Sequence, residues 1–157
     1  MDLSLSSPGY AVIRTNNGNC ELIEKGHFKT DAKKTHGYRL KQIEKVLIGL
    51  RDKYEYEAVI RERGFSRFPK ITQTLFKVVG LSDMVFADIG EIIEIPPTTI
   101  KKTLTGDGRA KKAAVAKNVR KILKLDKSIK FATDDESDAC AVVVTYLIKK
   151  GLLHEYY

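Results

Sequence analysis

Gly9-Tyr10-Ala11-Val12-Ile13-Arg14-Thr15, followed by Asn16-Asn17-Gly18-Asn19 and then Cys20-Glu21-Leu22-Ile23-Glu24-Lys25, is the stretch that decides the fold. Residues 9–15 read as a strand. Asn and Gly tolerate positive φ, so residues 16–19 read as a tight hairpin turn. Cys20 to Lys29 then returns as an antiparallel partner. Outward from the hairpin the period changes from two to about 3.6. Leu40, Ile43, Leu47 and Leu50 recur at steps of three and four, which predicts an amphipathic helix from His36 to about Tyr54. Glu57-Ala58-Val59-Ile60 reads as a short buried strand opening into a basic, aromatic loop, Arg61 to Pro69. A second helix runs from Lys70 to about Asp88. Its apolar residues spread over more than one stripe, so it is expected to be buried on several sides or to meet a second subunit. Ile92 to Ile95 is a strand stopped by Pro96-Pro97. Thr98 to Gly108 reads as a loop. A third helix turns Val115, Val119 and Ile122 inward, and a last one spans about Asp135 to Lys149 with Ala139, Val142, Val143 and Tyr146 on its core face. This alternation predicts an α/β fold, a mixed β-sheet flanked by helices.

The chain has 157 residues. That length suits one domain, 1–157, able to bury a core without disulfide or metal staples. No stretch is long and apolar enough for a membrane helix, and the opening residues have no basic n-region or apolar h-region. Cys20 and Cys140 lie far apart and fit neither a disulfide framework nor a zinc spacing, which points to reduced thiols in a cytoplasmic protein. His27, His36 and His154 are scattered and read as structural or surface residues.

Charge is distributed unevenly. The net charge is +8, yet residues 101–130 alone carry +9 and residues 131–157 carry −3. A basic block beside an acidic cluster suggests phosphate binding beside cation binding. Lys101, Lys102, Arg109, Lys111 and Lys112 flank a glycine turn at a helix start, where backbone N–H groups also face anions. Arg63 and Arg67 interleave with Phe65 and Phe68, a pattern suited to phosphate contact with base stacking.

Four acids stand out. Asp135 and Asp138 are three apart and continue the apolar stripe of the last helix, where uncompensated carboxylates are costly without a cation. The plain alternative is helix N-terminal acids favoured by the macrodipole, with Asp134 as N-cap. Glu62 follows the Ala58–Ile60 strand, at the strand end where open α/β sheets build their sites; its plain alternative is an ion pair with Arg61 or Arg63. Asp2 precedes a turn of small residues, Ser4 to Gly9, that lets a metal or phosphate approach the backbone.

Together, residues 2–13, 59–65, 100–112 and 134–141 resemble the RNase H-like nucleases, and within them the RuvC Holliday-junction resolvases. The resemblance implies an RNase H-like sheet and a Mg²⁺- or Mn²⁺-dependent endodeoxyribonuclease using two ions per site. It implies a homodimer that acts on branched DNA such as a four-way junction. By position, Asp2, Glu62, Asp135 and Asp138 would be the catalytic, metal-binding carboxylates. Asp134 competes with Asp135, because Asp134 and Asp138 are also one helical turn apart. Phe65 matches an aromatic that wedges into the junction centre, and Lys101 and Lys112 match basic residues near the scissile phosphate. Arg63, Arg67, Lys102, Arg109 and Lys111 complete the expected DNA contacts. Two hard ions could clamp the attacking and leaving oxygens of a phosphodiester in line. The family has a short apolar strand before its first Asp; here only Met1 precedes Asp2, so the first strand is expected to be short or truncated. Two other readings remain: an RNA-processing nuclease similar to YqgF, and a non-catalytic nucleic-acid-binding module.

Overall fold

The computed structural model describes residues 1–64 and 67–153. The hairpin forms as its turn chemistry predicts. Strands β1 (Gly9–Asn16) and β2 (Asn19–His27) pair antiparallel, and Asn17 and Gly18 take positive φ at the turn. The register slips between Val12 and Ile13, a bulge that strengthens the local twist. Helix α1 (His36–Lys53) buries Ile43, Leu47 and Leu50, and the Thr35 side chain caps its start by accepting from the Tyr38 amide.

Strand β3 (Ile60–Glu62) pairs parallel with β4 (Ile93–Ile95). The predicted strand at 57–60 is therefore shifted toward the basic loop, and Glu62 is its last residue. Met1 and Asp2 stitch the two strand pairs together. Asp2 exchanges backbone hydrogen bonds with Gly9 of β1, at 3.0 and 2.9 Å. On the other side the Met1 amino group donates to the Ile60 carbonyl at 2.6 Å, and the Glu62 amide donates to the Met1 carbonyl at 3.0 Å. The opening residues thus run as a stub of sheet between β1 and β3.

Helix α2 (Pro69–Val85) buries only Val78, Ser82 and Val85, and Ile71, Phe76 and Met84 are 56%, 58% and 61% exposed. Its several apolar stripes are therefore not all covered by this chain. Phe68, at the N-cap, is 67% exposed and lies outside the core. The expected loop 98–108 is mostly helix: α3 (Pro97–Thr105) starts on a proline at a position where the missing N–H costs nothing. It buries Ile100 and Leu104 and ends on Gly106 at φ 80°. Helix α4 (Lys112–Ile122) follows, with Val115 and Val119 inward.

Helix α5 (Asp134–Lys149) is buried on most of its circumference, with Ala139, Cys140, Ala141, Val142 and Val144 at 1% exposure or less. The single core face expected for it was too narrow. The N-cap is Thr133, and Asp134 is the first helical residue. One apolar cluster gathers α3, α4 and α5 on Ile60 and Ile95; the other gathers Met1, Leu3 and Leu5 with α1 and α2. Helices thus flank the strands on both faces, and the first turn of α5 abuts the loop that follows Asp2.

Candidate active site

Three segments converge on the first turn of α5. Met1–Asp2 enters between β1 and β3, Glu62 closes β3, and Asp135 and Asp138 project from α5. Close packing enforces this approach: a Cβ on Gly9 would stand 2.1 Å from the Asp135 carbonyl oxygen, so only glycine lets the helix dock there.

Burial, then the Asp138 carboxylate, push Asp2 up to about 6, with Asp135 adding to the repulsion. Burial, then the Asp2 and Asp138 carboxylates, push Glu62 up to about 7. These acids are one another's electrostatic neighbours. Glu62 has no ion pair with its flanking arginines. Arg61 is taken by Glu94 and Asp83, and Arg63 Nε lies 3.4 Å from Glu94.

The helix acids are held individually. Ser7 Oγ donates to Asp135 Oδ2 at 2.8 Å, and Lys112 Nζ donates to Asp138 Oδ2 at 2.6 Å. That hydrogen bond raises the Lys112 ammonium above its usual range. Asp134 is exposed, whereas Asp135 is half-buried, accepts from Ser7 and acts on Asp2, so the geometry favours Asp135 over it. The sequence offers no local signal for Ser7, because Asp135 lies 128 residues away.

The donor set is all oxygen, which fits a hard divalent cation rather than zinc. Among the described residues, no three His, Cys, Asp or Glu side chains converge closely enough to hold an ion as they stand. Lys112 is the cation found on Asp138. His27 is engaged elsewhere, its Nδ1 2.9 Å from Glu136 Oε1, and Cys20 and Cys140 are free thiols.

The expected DNA contacts divide. Arg67, Lys102, Arg109 and Lys111 are exposed; Lys101 is half-buried on α3. Lys112 opens α4 beside Asp138. Phe65 lies outside the described residues, as does His154. The basic patch is a helix–turn–helix hairpin, α3 to α4, rather than a loop feeding one helix.

A family model described as crossover junction endodeoxyribonuclease RuvC matches residues 1–146. The chain is 30% identical over 153 residues to the crossover junction endodeoxyribonuclease RuvC of Ehrlichia ruminantium, covering 94% of this chain and 93% of the relative. It is 35% identical over 140 residues to that of Helicobacter pylori strain P12, covering 88% and 87%. Among solved structures, Thermus thermophilus RuvC superposes with a TM-score of 0.82 at 22% identity, over 96% of this chain and 94% of that one. The same protein in complex with a Holliday junction substrate gives 0.83 at 22% identity, over 96% and 93%. These likenesses bear out the RNase H-like fold, and by the match over nearly its whole length the chain belongs to the RuvC family of crossover junction endodeoxyribonucleases.

Proposed function

We propose that residues 1–157 act as one nuclease domain, a metal-dependent, structure-selective endonuclease that hydrolyses phosphodiester bonds in four-way DNA junctions. Asp2, Glu62, Asp135 and Asp138 are its catalytic carboxylates. The observation that carries this reading is the pair Asp2 and Glu62, half-buried acids that repel each other and Asp138. Such a grouping is costly until a cation is shared.

These four residues would hold Mg²⁺ or Mn²⁺, two ions per site. When bound, the ions neutralise the phosphodiester and lower the pKa of the attacking water. The chain's own residues do the positioning. Ser7 orients Asp135, and Lys112 balances Asp138 and can pass to a phosphate. Lys101, Lys102, Arg109 and Lys111 grip the backbone, Arg63 and Arg67 extend that grip, and Phe65 stacks at the junction centre. Two symmetric cuts need two sites. The chain pairs as a homodimer through the uncovered Ile71, Phe76 and Met84 of α2. It works in the cytoplasm.

The test is incubation with a four-way junction, a flap and a linear duplex, with and without Mg²⁺. Paired symmetric nicks in the junction alone, only with Mg²⁺, are expected. Cutting without metal, or cutting all three equally, would overturn the reading. Cleavage of structured RNA with the junction left intact would favour RNA processing.

A further inference from the structure

We infer that Glu136 is a positioning residue for the carboxylate site proposed above: it clamps the first turn of α5 to β2 and so sets where Asp135 and Asp138 point. Glu136 stands between those two acids in sequence but on another side of the helix. At 3.6 residues per turn, Asp135 and Asp138 lie about 60° apart, and Glu136 faces roughly 130° from their mean direction. It can therefore hold the helix from behind.

Glu136 is 5% exposed, and its carboxylate is fully engaged. Lys25 Nζ donates to Oε2 at 2.6 Å, the Ala132 amide donates to the same oxygen at 2.9 Å, and His27 Nδ1 is 2.9 Å from Oε1. Lys25 and His27 are two apart in β2, so both reach from one face of the strand. The clamp thus ties three things together: the strand, the turn before α5, and the helix.

A second observation shows why the turn depends on it. Thr133 is the N-cap yet makes no side-chain capping bond, and its buried Oγ1 has no hydrogen-bond partner among the described residues. Glu136 instead satisfies the Ala132 amide. Phe131, just upstream, lies 5.5 Å from the Lys25 ammonium and 5.8 Å from the Arg120 guanidinium, both over its ring. The segment entering α5 is anchored on the face away from the acids. Outer residues that orient ligands typically alter metal affinity or activity ~10–100-fold when removed.

The experiment compares Glu136→Ala, Glu136→Gln and Lys25→Ala, all assayed well below their melting temperatures. The readouts are Mn²⁺ affinity of DNA-free protein by calorimetry, and kcat and KM for junction nicking. Glu136→Ala is expected to weaken Mn²⁺ binding and lower kcat by ~10–100-fold with KM unchanged. Glu136→Gln keeps an acceptor for the Ala132 amide and should recover most of both. Lys25→Ala should fall between them, and it stands in if Glu136→Ala does not fold. A clamp variant that melts lower but binds Mn²⁺ and turns over like the parent would overturn the proposal, because Glu136 would then serve stability alone. Asp138→Asn runs alongside. If it too keeps Mn²⁺ affinity and cleavage, the carboxylate site itself has failed, and the clamp has nothing to position.

Discussion

Two groups of acids meet at the start of α5, one buried and one half-buried, and they behave oppositely. Glu136 is held down at about 2: burial works against its charge, but hydrogen bonds from Lys25, the Ala132 amide and His27 outweigh it. Asp2 and Glu62, across the helix, are pushed up to about 6 and about 7 because burial is reinforced by their acidic neighbours. The first acid is compensated by the protein. The others are left under-compensated by the fold, which is what the proposed cation site calls for. The more buried acid is the one held down, so the sign of the surrounding charge, not burial, sets the direction.

The comparison breaks most visibly through activity. Asp138→Asn or Glu62→Gln should lower junction cleavage on the order of 10²–10³-fold or more, the scale of losing a charge-stabilising group at the reacting centre. Junction affinity should hold or tighten, since a negative charge is lost. Gel-shift and nicking assays on the same preparations separate the two effects. Full cleavage by either variant in Mg²⁺ would remove that acid from the site.

Stability should respond with opposite signs. Removing Glu136 leaves the half-buried Lys25 and His27 without their anion and the Ala132 amide without its acceptor, which costs about 1–3 kcal/mol. Asp2→Asn in metal-free protein at pH 8 should instead stabilise, by on the order of 1–3 kcal/mol, because a half-buried, repelled charge is gone. Thermal melts of both variants test this; destabilisation by Asp2→Asn would show its charge already compensated.

The pH dependence follows from the same contrast. Glu136 has a depressed folded pKa, so its contribution is full above the ordinary carboxylate value near 4.5 and is lost as pH falls toward 2. Asp2 and Glu62 have raised folded pKa values. The folded state therefore binds their protons more tightly, and stability falls as pH rises from about 4 to about 7. Added Mn²⁺ should reverse that fall, raising the melting temperature far more at pH 8 than at pH 5. A metal effect independent of pH would count against these two acids as its ligands.

The two groups were not equally legible in the sequence. The acids of the proposed site stand out by position: a strand end for Glu62, an apolar stripe for Asp135 and Asp138. Glu136 was hidden in the run Asp134-Asp135-Glu136, because its partners Lys25 and His27 lie more than a hundred residues away and only tertiary packing brings them in. Ser7 was hidden for the same reason. The hairpin was plain because Asn17-Gly18 is local chemistry. Helix α3 was not: Pro96-Pro97 was read as a strand stop, although a proline also opens a helix, and Ile100 and Leu104 already had helical spacing. The stub at Met1–Asp2 matches the short first strand expected there, and it is held because β1 and β3 offer it backbone partners.

The smallest expected effect lies where the acids meet the basic patch, and it separates two adjacent lysines. Lys111 is exposed, whereas Lys112 donates to Asp138. Each phosphate neutralised on duplex DNA contributes about −0.9 to the log–log salt slope of binding. Lys111→Ala should therefore flatten the slope by about one unit on junction and duplex alike. In metal-free buffer Lys112→Ala should flatten it far less, because Asp138 already balances that ammonium and few counterions are released through it. A hard cation such as Ca²⁺ on Asp138 would free Lys112 for a phosphate, and the Lys112→Ala effect should then grow toward that of Lys111→Ala. Salt titrations of both variants, with and without Ca²⁺, read this directly. Equal flattening by the two in metal-free buffer would mean that Lys112 belongs to the phosphate grip alone. The electrostatic balance at Asp138 would then differ from the one on which the contrast with Glu136 rests.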